Sequence, residues 1–282
     1  MTICSKSFII ILGKCLFLMD GMIMKTGIST GCLYPMLTEK ALELLLDSGF
    51  DTFEIFFNTF SELEPDYLSK LKNLITKYNA NISSIHPFTS SFESYLLFSG
   101  YERRFEDGVG MYEMYYRCAS FLGADKVVLH GMRDDFSSIG EDEYFRRFRV
   151  LHEKGRPYNV ALLQENVDKY YSNRPAVTKE MKKILPDSSG FVLDIKQALR
   201  GGHDPNYIAR IMGDKLKHVH ISDITERGGC VLPGKGCFDY DHFFDTLKGI
   251  GYNGDIIIEV YRGCFDDVSE LVKAKKFIEG FY

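Results

Sequence analysis

Ionisable side chains end several short apolar stretches of the sequence, at positions where aliphatic residues are expected. Glu165 follows the run Ala161-Leu-Leu-Gln, and Glu259 follows three isoleucines that begin at Ile256. A charge in such a stretch is costly to bury unless a partner compensates it. The residues at these positions are Glu54, His86, His130, Glu165, Asp194, His218, His220 and Glu259. Carboxylates and imidazoles are the groups that serve as general acids, general bases and metal ligands.

Three of these carboxylates require a cation if the fold brings them together. Glu165, Asp194 and Glu259 would otherwise repel one another and raise each other's pKa values. With His220 as a fourth ligand, the set suits Mn²⁺, Co²⁺, Mg²⁺ or Zn²⁺ and differs from the thiolate set of a structural zinc site. We therefore predict one divalent metal ion, held by Glu165, Asp194, His220 and Glu259. Ligand type does not choose among the four ions.

Other polar residues near these positions have two interpretations. His218 and His220 are two residues apart, so both face the same side of a strand, and only one is expected at the depth of the metal site. We favour His220. Glu54 and Asp223 either belong to the site or form structural salt bridges with Lys25 or Arg227.

The elements that carry these residues alternate along the chain from Met24 onward. Eight apolar stretches predict strands at Lys25–Ser29, Thr52–Phe57, Ile82–His86, Lys126–His130, Val160–Glu165, Phe191–Asp194, Lys217–Ile221 and Asp255–Val260. Amphipathic stretches predict helices at Glu39–Asp47, Tyr67–Tyr78, Gly108–Leu122, Glu141–Glu153, Thr178–Leu185, Pro205–Met212, Asp241–Ile250 and Ser269–Phe281. Such alternation is typical of parallel strands joined by crossover helices.

The fold class predicted is α/β, a (β/α)8 TIM barrel in a single domain over residues 24–282. Strands that are apolar on both faces need cover on both sides, which a closed barrel with an outer ring of helices supplies. An open doubly wound sheet is the alternative, but Gly27 to Gly31 lacks the G-x-G-x-x-G spacing of a dinucleotide site. In a barrel the carboxyl ends of the strands meet at one mouth, so the ionisable residues converge there.

Charge and cysteine usage limit the partners and the compartment. A net charge of −5 provides no field that gathers a polyanion, so we expect no nucleic-acid partner. The seven cysteines are odd in number and contain no C-x-x-C pair, which indicates reduced thiols in a cytoplasmic protein. Residues 1–23 form an N-terminal extension of uncertain status. Their apolar run is interrupted at Gly13 and Lys14 and is too short to span a bilayer, so no membrane association is expected.

Five short motifs together resemble the sugar phosphate isomerase/epimerase branch of the xylose-isomerase-like barrels, which are related to endonuclease IV. The motifs are Glu165-Asn166, the stretch from Asp194 to Pro205, His218 to Asp223, Leu232 to Tyr240, and Ile258-Glu259. Each motif is weak alone, but their order and spacing along the chain match the superfamily. The resemblance identifies the superfamily and leaves the substrate open.

The resemblance implies the same four metal ligands and gives Glu165 and Glu259 the roles of base and acid. It implies proton exchange at the carbon next to the carbonyl of a ketose, with the metal ion stabilising the enediolate oxygen. This sequence departs from the family at Gln197, which occupies the histidine position of a D-x-x-H motif. The stretch from Pro233 to Asp239 also lacks the D-x-H pair of endonuclease IV relatives, so a trinuclear zinc site is incomplete.

The sequence therefore predicts a metal-dependent isomerase or epimerase of a small sugar, sugar phosphate or related keto-polyol. The residues expected to bind the substrate are His86, His130, Lys196, Gln197, His218, Asp223 and Arg262. Lys196, Arg262 and also Lys235 are the candidate contacts for a phosphate or carboxylate of the substrate. The alternatives are an inosose-type dehydratase, a non-catalytic sugar-binding barrel and, more distantly, an abasic-site endonuclease. Barrels of this type often associate, so a homo-oligomer stays open.

Overall fold

A computed structural model describes residues 24–136 and 138–282 of the chain. The predicted N-terminal extension, residues 1–23, lies outside the described residues. Within them, no helix is long and apolar enough to cross a membrane. The five cysteines at 32, 118, 230, 237 and 264 carry free thiols.

Eight parallel strands close into a barrel, as the sequence predicts, in the order β1-β10-β7-β6-β5-β4-β3-β2. The barrel strands are β1 (Thr26–Ser29), β2 (Thr52–Phe56), β3 (Asn81–His86), β4 (Lys126–Leu129), β5 (Ala161–Glu165), β6 (Phe191–Asp194), β7 (Leu216–Ile221) and β10 (Asp255–Ile258). A short antiparallel ladder, β8 (Asp223–Ile224) with β9 (Cys230–Val231), lies in the loop after β7. The chain is therefore a single TIM barrel domain.

Ten α-helices are found in the described residues, and most of them follow a barrel strand. They are α1 (Thr38–Asp47), α2 (Pro65–Tyr78), α3 (Ser90–Leu97), α4 (Glu102–Leu122), α5 (Glu141–Gly155), α6 (Pro175–Ile184), α7 (Ile195–Arg200), α8 (Pro205–Met212), α9 (Tyr240–Gly249) and α10 (Val268–Glu279). Helices α3 and α7 are not predicted by the sequence pattern, and α4 begins six residues before the predicted start at Gly108. The first turns of α4, from Glu102 to Asp107, contain a single apolar residue, so their sequence carries no apolar periodicity.

The register of the strands places the ionisable residues in adjacent rows of the barrel interior. Asp194 on β6 is paired with His220 on β7, and His220 is paired in turn with Ile257 on β10. Glu54 on β2 is paired with Ser84 on β3. Alternate residues of a strand share a face, so the ionisable residues of these strands face the barrel interior. They lie toward the carboxyl ends of the strands. Aliphatic residues line it below, with Val128, Leu163 and Val192 packed together.

Candidate active site

Four side chains from four neighbouring strands meet at the carboxyl end of the barrel. Glu165, Asp194, His220 and Glu259 each offer one ligand atom, and these atoms all lie within 4.8 Å of one another. Asp194 and Glu165 are 1% exposed, whereas the Glu259 side chain is 21% exposed and faces the mouth. The structure thus brings together the four residues that the sequence analysis assigned to the metal ion.

Glu54 orients the imidazole of His220. Its Oε2 lies 3.0 Å from Nε2 of His220 and 3.4 Å from Nε2 of His218, and it accepts a hydrogen bond of 2.8 Å from Ser84. Nδ1 of His220 consequently faces Glu165 Oε1 at 3.3 Å. A carboxylate behind a histidine fixes its tautomer and raises its basicity as a metal ligand. Glu54 therefore supports the site from below and forms no salt bridge with Lys25.

His86 and His130 border Glu165 on the side away from Asp194. Nε2 of His130 lies 2.9 Å from Glu165 Oε2, and Nε2 of His86 lies 3.8 Å from the same oxygen. Burial opposes protonation of His86, but its close contact with the carboxylate of Glu165 and the nearby carboxylate of Glu54 outweigh burial and raise its pKa to about 9. The same imidazoles hold the pKa of Glu165 well below its usual range in spite of burial. Glu165 is therefore a carboxylate at neutral pH.

Lys196 forms two buried ion pairs with the predicted metal ligands. Its ammonium lies 2.8 Å from Asp194 Oδ2 and 2.7 Å from Glu259 Oε2, and the residue is 6% exposed. Burial raises the pKa of Glu259, but the charges of Lys196 and His220 outweigh burial and lower that pKa to about 2. Lys196 thus contributes positive charge to a group of three carboxylates.

A cavity of about 470 Å³ opens above these residues, a size typical of small-molecule sites. Polar groups form its floor, including His86, His130, Glu165, Lys196 and Glu259. Aromatic side chains form much of its wall. The further lining residues are Gly31, Tyr34, Phe56, Asn58, Phe88, Gln197, Val260 and Tyr261. A polar floor with an aromatic wall suits a compact ligand that carries hydroxyl groups on an apolar frame.

Four other predicted substrate contacts lie outside the lining of this cavity, and one of them, Lys235, lines a separate pocket. His218 is fully buried beneath the site, at 3.1 Å from the Ser84 hydroxyl. Arg262 donates to the carbonyl oxygen of Phe265 at 2.7 Å. Asp223 lies in the loop after β7. Gln197, by contrast, does line the cavity, and its side-chain oxygen accepts from the backbone N–H of Asp168 at 3.2 Å.

Asp223 organises the loop that follows β7 and forms no salt bridge with Arg227. Its two oxygens accept backbone N–H groups of Ile224, Gly234, Gly236 and Phe238 at 2.8 to 3.0 Å. A Cβ at Gly236 would lie 2.4 Å from Asp223 Oδ1, so glycine is needed for this approach.

Replacement of Asp223 should destabilise the protein. We expect Asp223→Ala to lower the free energy of unfolding by about 2–4 kcal/mol, because it leaves four inward-facing N–H groups without their acceptor. Asp214→Ala is the matched control, since that side chain is 77% exposed, and its effect should stay within about 0.5 kcal/mol. Urea unfolding followed by circular dichroism measures both variants. Equal midpoints would show that the loop does not depend on Asp223.

The sequence analysis missed Glu93 and much of the aromatic wall. Glu93 is fully buried on α3 and accepts from the backbone N–H groups of His130 and Gly131 at 3.0 and 2.9 Å. It also accepts from the Tyr112 hydroxyl at 2.6 Å. It therefore positions the segment that carries His130. Glu93 lies in an undetected helix, so no sequence signal pointed to it.

The donor set fits a divalent cation. Oxygen and nitrogen ligands bind such ions at about 2.0–2.4 Å, so ligands of one ion are at most about 4–5 Å apart, as these four are. Glu165 Oε2 is buried and makes no hydrogen bond of good geometry within the described residues. An ion held by Glu165, Asp194, His220 and Glu259 would compensate the excess of negative charge.

Metal affinity should rise with pH. Burial opposes protonation of His220, but Glu54 and Glu259 outweigh it and raise the pKa of His220 well above its usual value. Burial and the neighbouring carboxylates Glu259 and Glu165 raise the pKa of Asp194 to about 7, although Lys196 opposes them. A metal ion must therefore displace a proton from His220 and, below about pH 7, another from Asp194.

Calorimetry in buffers of different ionisation enthalpy would count these protons. We expect about two protons released per Mn²⁺ at pH 6 and about one at pH 8, with tighter binding at the higher pH. Affinity that is independent of pH between 6 and 8 would contradict the assignment of His220 and Asp194 as ligands.

A family model described as xylose isomerase-like TIM barrel matches residues 42–279 of the chain. Among curated relatives, an inosose dehydratase of Lacticaseibacillus casei is 22% identical over 170 residues, which cover 52% of this chain and 57% of that protein. The chain thus matches just over half the length of this relative.

Solved structures share the fold over nearly the whole chain. A D-tagatose 3-epimerase-like protein superposes with a TM-score of 0.75 at 22% identity, covering 92% of this chain and 97% of the other. D-allulose 3-epimerase from Methylomonas sp., in complex with D-allulose, gives a TM-score of 0.73 at 18% identity, covering 92% and 98%. At these identities the likeness shows the fold.

Proposed function

The chain belongs to the xylose isomerase-like TIM barrel family, and from that premise we propose that it is a metal-dependent isomerase or epimerase of a small sugar or sugar-derived keto compound. The observation that carries the proposal is the convergence of Glu165, Asp194, His220 and Glu259 beneath a cavity of about 470 Å³. Mn²⁺, Co²⁺, Mg²⁺ or Zn²⁺ would suit these ligands, and when bound it would supply Lewis-acid polarisation of the substrate carbonyl.

The two glutamates carry the proton transfer in this proposal. Glu165 and Glu259 stand on non-adjacent strands, and one carboxylate oxygen of each lies within 4.8 Å of the other. Both line the cavity, so a planar keto compound bound between them would present opposite faces of the carbon next to its carbonyl to the two groups. Glu165 would remove a proton from that carbon and later release it to solvent, and Glu259, once protonated from solvent, would return a proton to the other face.

The histidines and aromatic residues hold the substrate in this proposal. His86 and His130 point Nε2 atoms toward Glu165, with ring centroids 4.9 Å apart, and both line the cavity. Their Nε2 groups would donate to sugar hydroxyls in place of their contacts with Glu165 and with each other, and His86 stacks on Phe56 at 4.7 Å between centroids. Tyr34 and Tyr261 are 62% and 52% exposed at the cavity mouth, where a sugar face would cover them.

A dehydratase is the second function that a specific observation favours. The relatives named inosose dehydratase share about 22% identity with part of this chain. Dehydration begins with the same proton abstraction and differs in the loss of a hydroxyl group. Product mass separates the two reactions, because epimerisation conserves mass and dehydration removes one water.

Solvent exchange tests the proposed function directly. The purified chain is incubated with Mn²⁺ or Co²⁺ in deuterium oxide and offered a panel of ketoses, ketose phosphates and inososes. We expect deuterium at the carbon next to the carbonyl in at least one substrate, and no exchange after treatment with a chelator. Failure of exchange across the panel, together with binding of a sugar, would favour the non-catalytic alternative. Cleavage of abasic DNA in a parallel assay would favour the nuclease.

A further inference from the structure

A second polar cavity, of about 520 Å³, lies at the opposite end of the barrel. Residues within one position of the start of β1, β3, β4, β7 and β10 line it, among them Lys25, Asn81, Lys126, Lys217 and Asp255. In TIM barrels the amino-terminal face contributes to stability, and layers of side chains fill the interior. A polar cavity of this size on that face has no role in the proposed reaction.

Three lysines give the cavity an excess of positive charge. Lys25, Lys126 and Lys217 line it together with the carboxylates Asp125 and Asp255, whereas the whole chain carries a net charge of −5. The Lys126 ammonium is 2.5 Å from Asp125 Oδ1. Among residues 24–136 and 138–282, neither Lys25 nor Lys217 forms an ion pair. Both are exposed, so their ammonium groups are available to an anion.

Ser83 supplies an independent indication of a ligand. This residue lines the cavity and is 2% exposed, yet its hydroxyl has no hydrogen-bond partner among the described groups. The backbone carbonyl oxygen of Ser83 accepts a hydrogen bond from Lys126 Nζ at 3.4 Å. A buried hydroxyl without a partner is destabilising, because it has lost its hydrogen bonds to water. An acceptor oxygen of a ligand in the cavity would remove this cost.

We propose that this cavity binds a small phosphorylated metabolite through its phosphate group. The ammonium groups of Lys25 and Lys217 would pair with phosphate oxygens, and the Ser83 hydroxyl would donate to another. A phosphate presents several strong acceptor oxygens and more than one negative charge, which matches unpaired ammonium groups and a free donor. The remaining volume accommodates the organic part of the ligand.

This site is separate from the proposed active site. Lys126 begins β4 and His130 directly follows its last residue, so the two lie about 13 Å apart at ~3.3 Å per residue. The packed side chains of Val128, Leu163 and Val192 lie between the two levels. Phosphate binding here therefore tests neither the metal site nor the epimerase proposal.

Lysine reactivity with pyrophosphate as the probe tests the proposal. The full chain is treated with an acylating reagent at increasing pyrophosphate, and mass spectrometry gives the modified fraction of each lysine. We expect saturable protection of Lys25 and Lys217, with an apparent Kd that rises with salt. The double variant Lys25→Gln/Lys217→Gln should bind pyrophosphate at least about tenfold more weakly, as read from protection of Lys126. The exposed Lys70 provides the control variant, Lys70→Gln, which should bind as the parent does.

Two further variants separate the outcomes. Ser83→Ala keeps every charge and should weaken pyrophosphate binding by about threefold to tenfold. Lys196 lies at the other end of the barrel, so the variant Lys196→Gln should leave the protection of Lys25 and Lys217 by pyrophosphate intact. The proposal is overturned if pyrophosphate protects only Lys196, if the double variant binds as the parent does, or if citrate protects Lys25 and Lys217 as well as pyrophosphate.

Discussion

Glu165→Gln should lose both the metal ion and the exchange reaction. The carboxylate is 1% exposed and contributes one of the four ligand atoms, and the amide that replaces it is a weaker ligand and no base. Loss of a general base alone costs about 10²–10⁴ in rate, and a weakened metal site adds to this loss. We therefore expect deuterium exchange to fall by at least about 10³, with a metal content well below one ion per chain.

Glutamine has nearly the same size as glutamate, so Glu165→Gln conserves the packing and changes only the electrostatics of the site. Without the Glu165 carboxylate, the pKa of His86 should fall from about 9, because the contact with this negative charge is a main cause of its elevation. Glu153→Gln is the matched control, because Glu153 is 48% exposed and its pair with Arg156 lies on the surface. Metal analysis and exchange rates are measured on both variants. A Glu165→Gln protein with normal metal content and normal exchange would rule out both assigned roles.

The convergence of the four candidate ligands could be predicted from the sequence because each one lies at or next to the end of an apolar strand. In a parallel barrel the strand ends share one mouth, so identifying the strands was enough to predict that Glu165, Asp194 and Glu259 converge. Small errors at strand ends did not matter: Glu259 comes just after β10, whereas the sequence analysis placed it inside a strand ending at Val260. His220 could be chosen over His218 because it lies two residues closer to the carboxyl end of the same strand, and the residue numbers alone give that position.

The supporting contacts could not be predicted in the same way. Glu54 was recognised as unusual, but its bond to His220 crosses the interior between strands that are not adjacent in the barrel order. Lys196 was expected to contact an anionic substrate group, and the structure places it on Asp194 and Glu259. That placement depends on α7, which begins directly after Asp194 and folds the lysine back over the strand ends. A helix of six residues has too little periodicity to be recognised from sequence.

Lys196→Met should produce the largest change in stability. The ammonium makes two buried ion pairs, and its removal leaves Asp194 and Glu259 beside Glu165 without this counter-charge. Breaking a buried ion pair by removing one partner costs about 3–5 kcal/mol. Burial opposes the charge on Lys196, but Asp194 and Glu259 outweigh burial and raise its pKa well above the usual value. The ammonium therefore keeps its charge at neutral pH, and loss of its contacts should appear as a lower Tm without added metal.

Metal ions should reverse this loss. Asp194 Oδ2 and Glu259 Oε2 are the oxygens that Lys196 contacts, so an ion that binds them competes with the ammonium in the parent and meets no competitor in Lys196→Met. We expect the variant to bind Mn²⁺ at least about tenfold more tightly than the parent. Mn²⁺ should also raise the Tm of the variant by more than it raises the Tm of the parent, since stabilisation grows with the ratio of free ion to Kd. Lys183→Met is the control, as that lysine is 76% exposed on α6. Equal Mn²⁺ affinity in parent and variant would mean that the ammonium and the metal ion do not share these oxygens, and Lys196 would return to the role of a substrate contact.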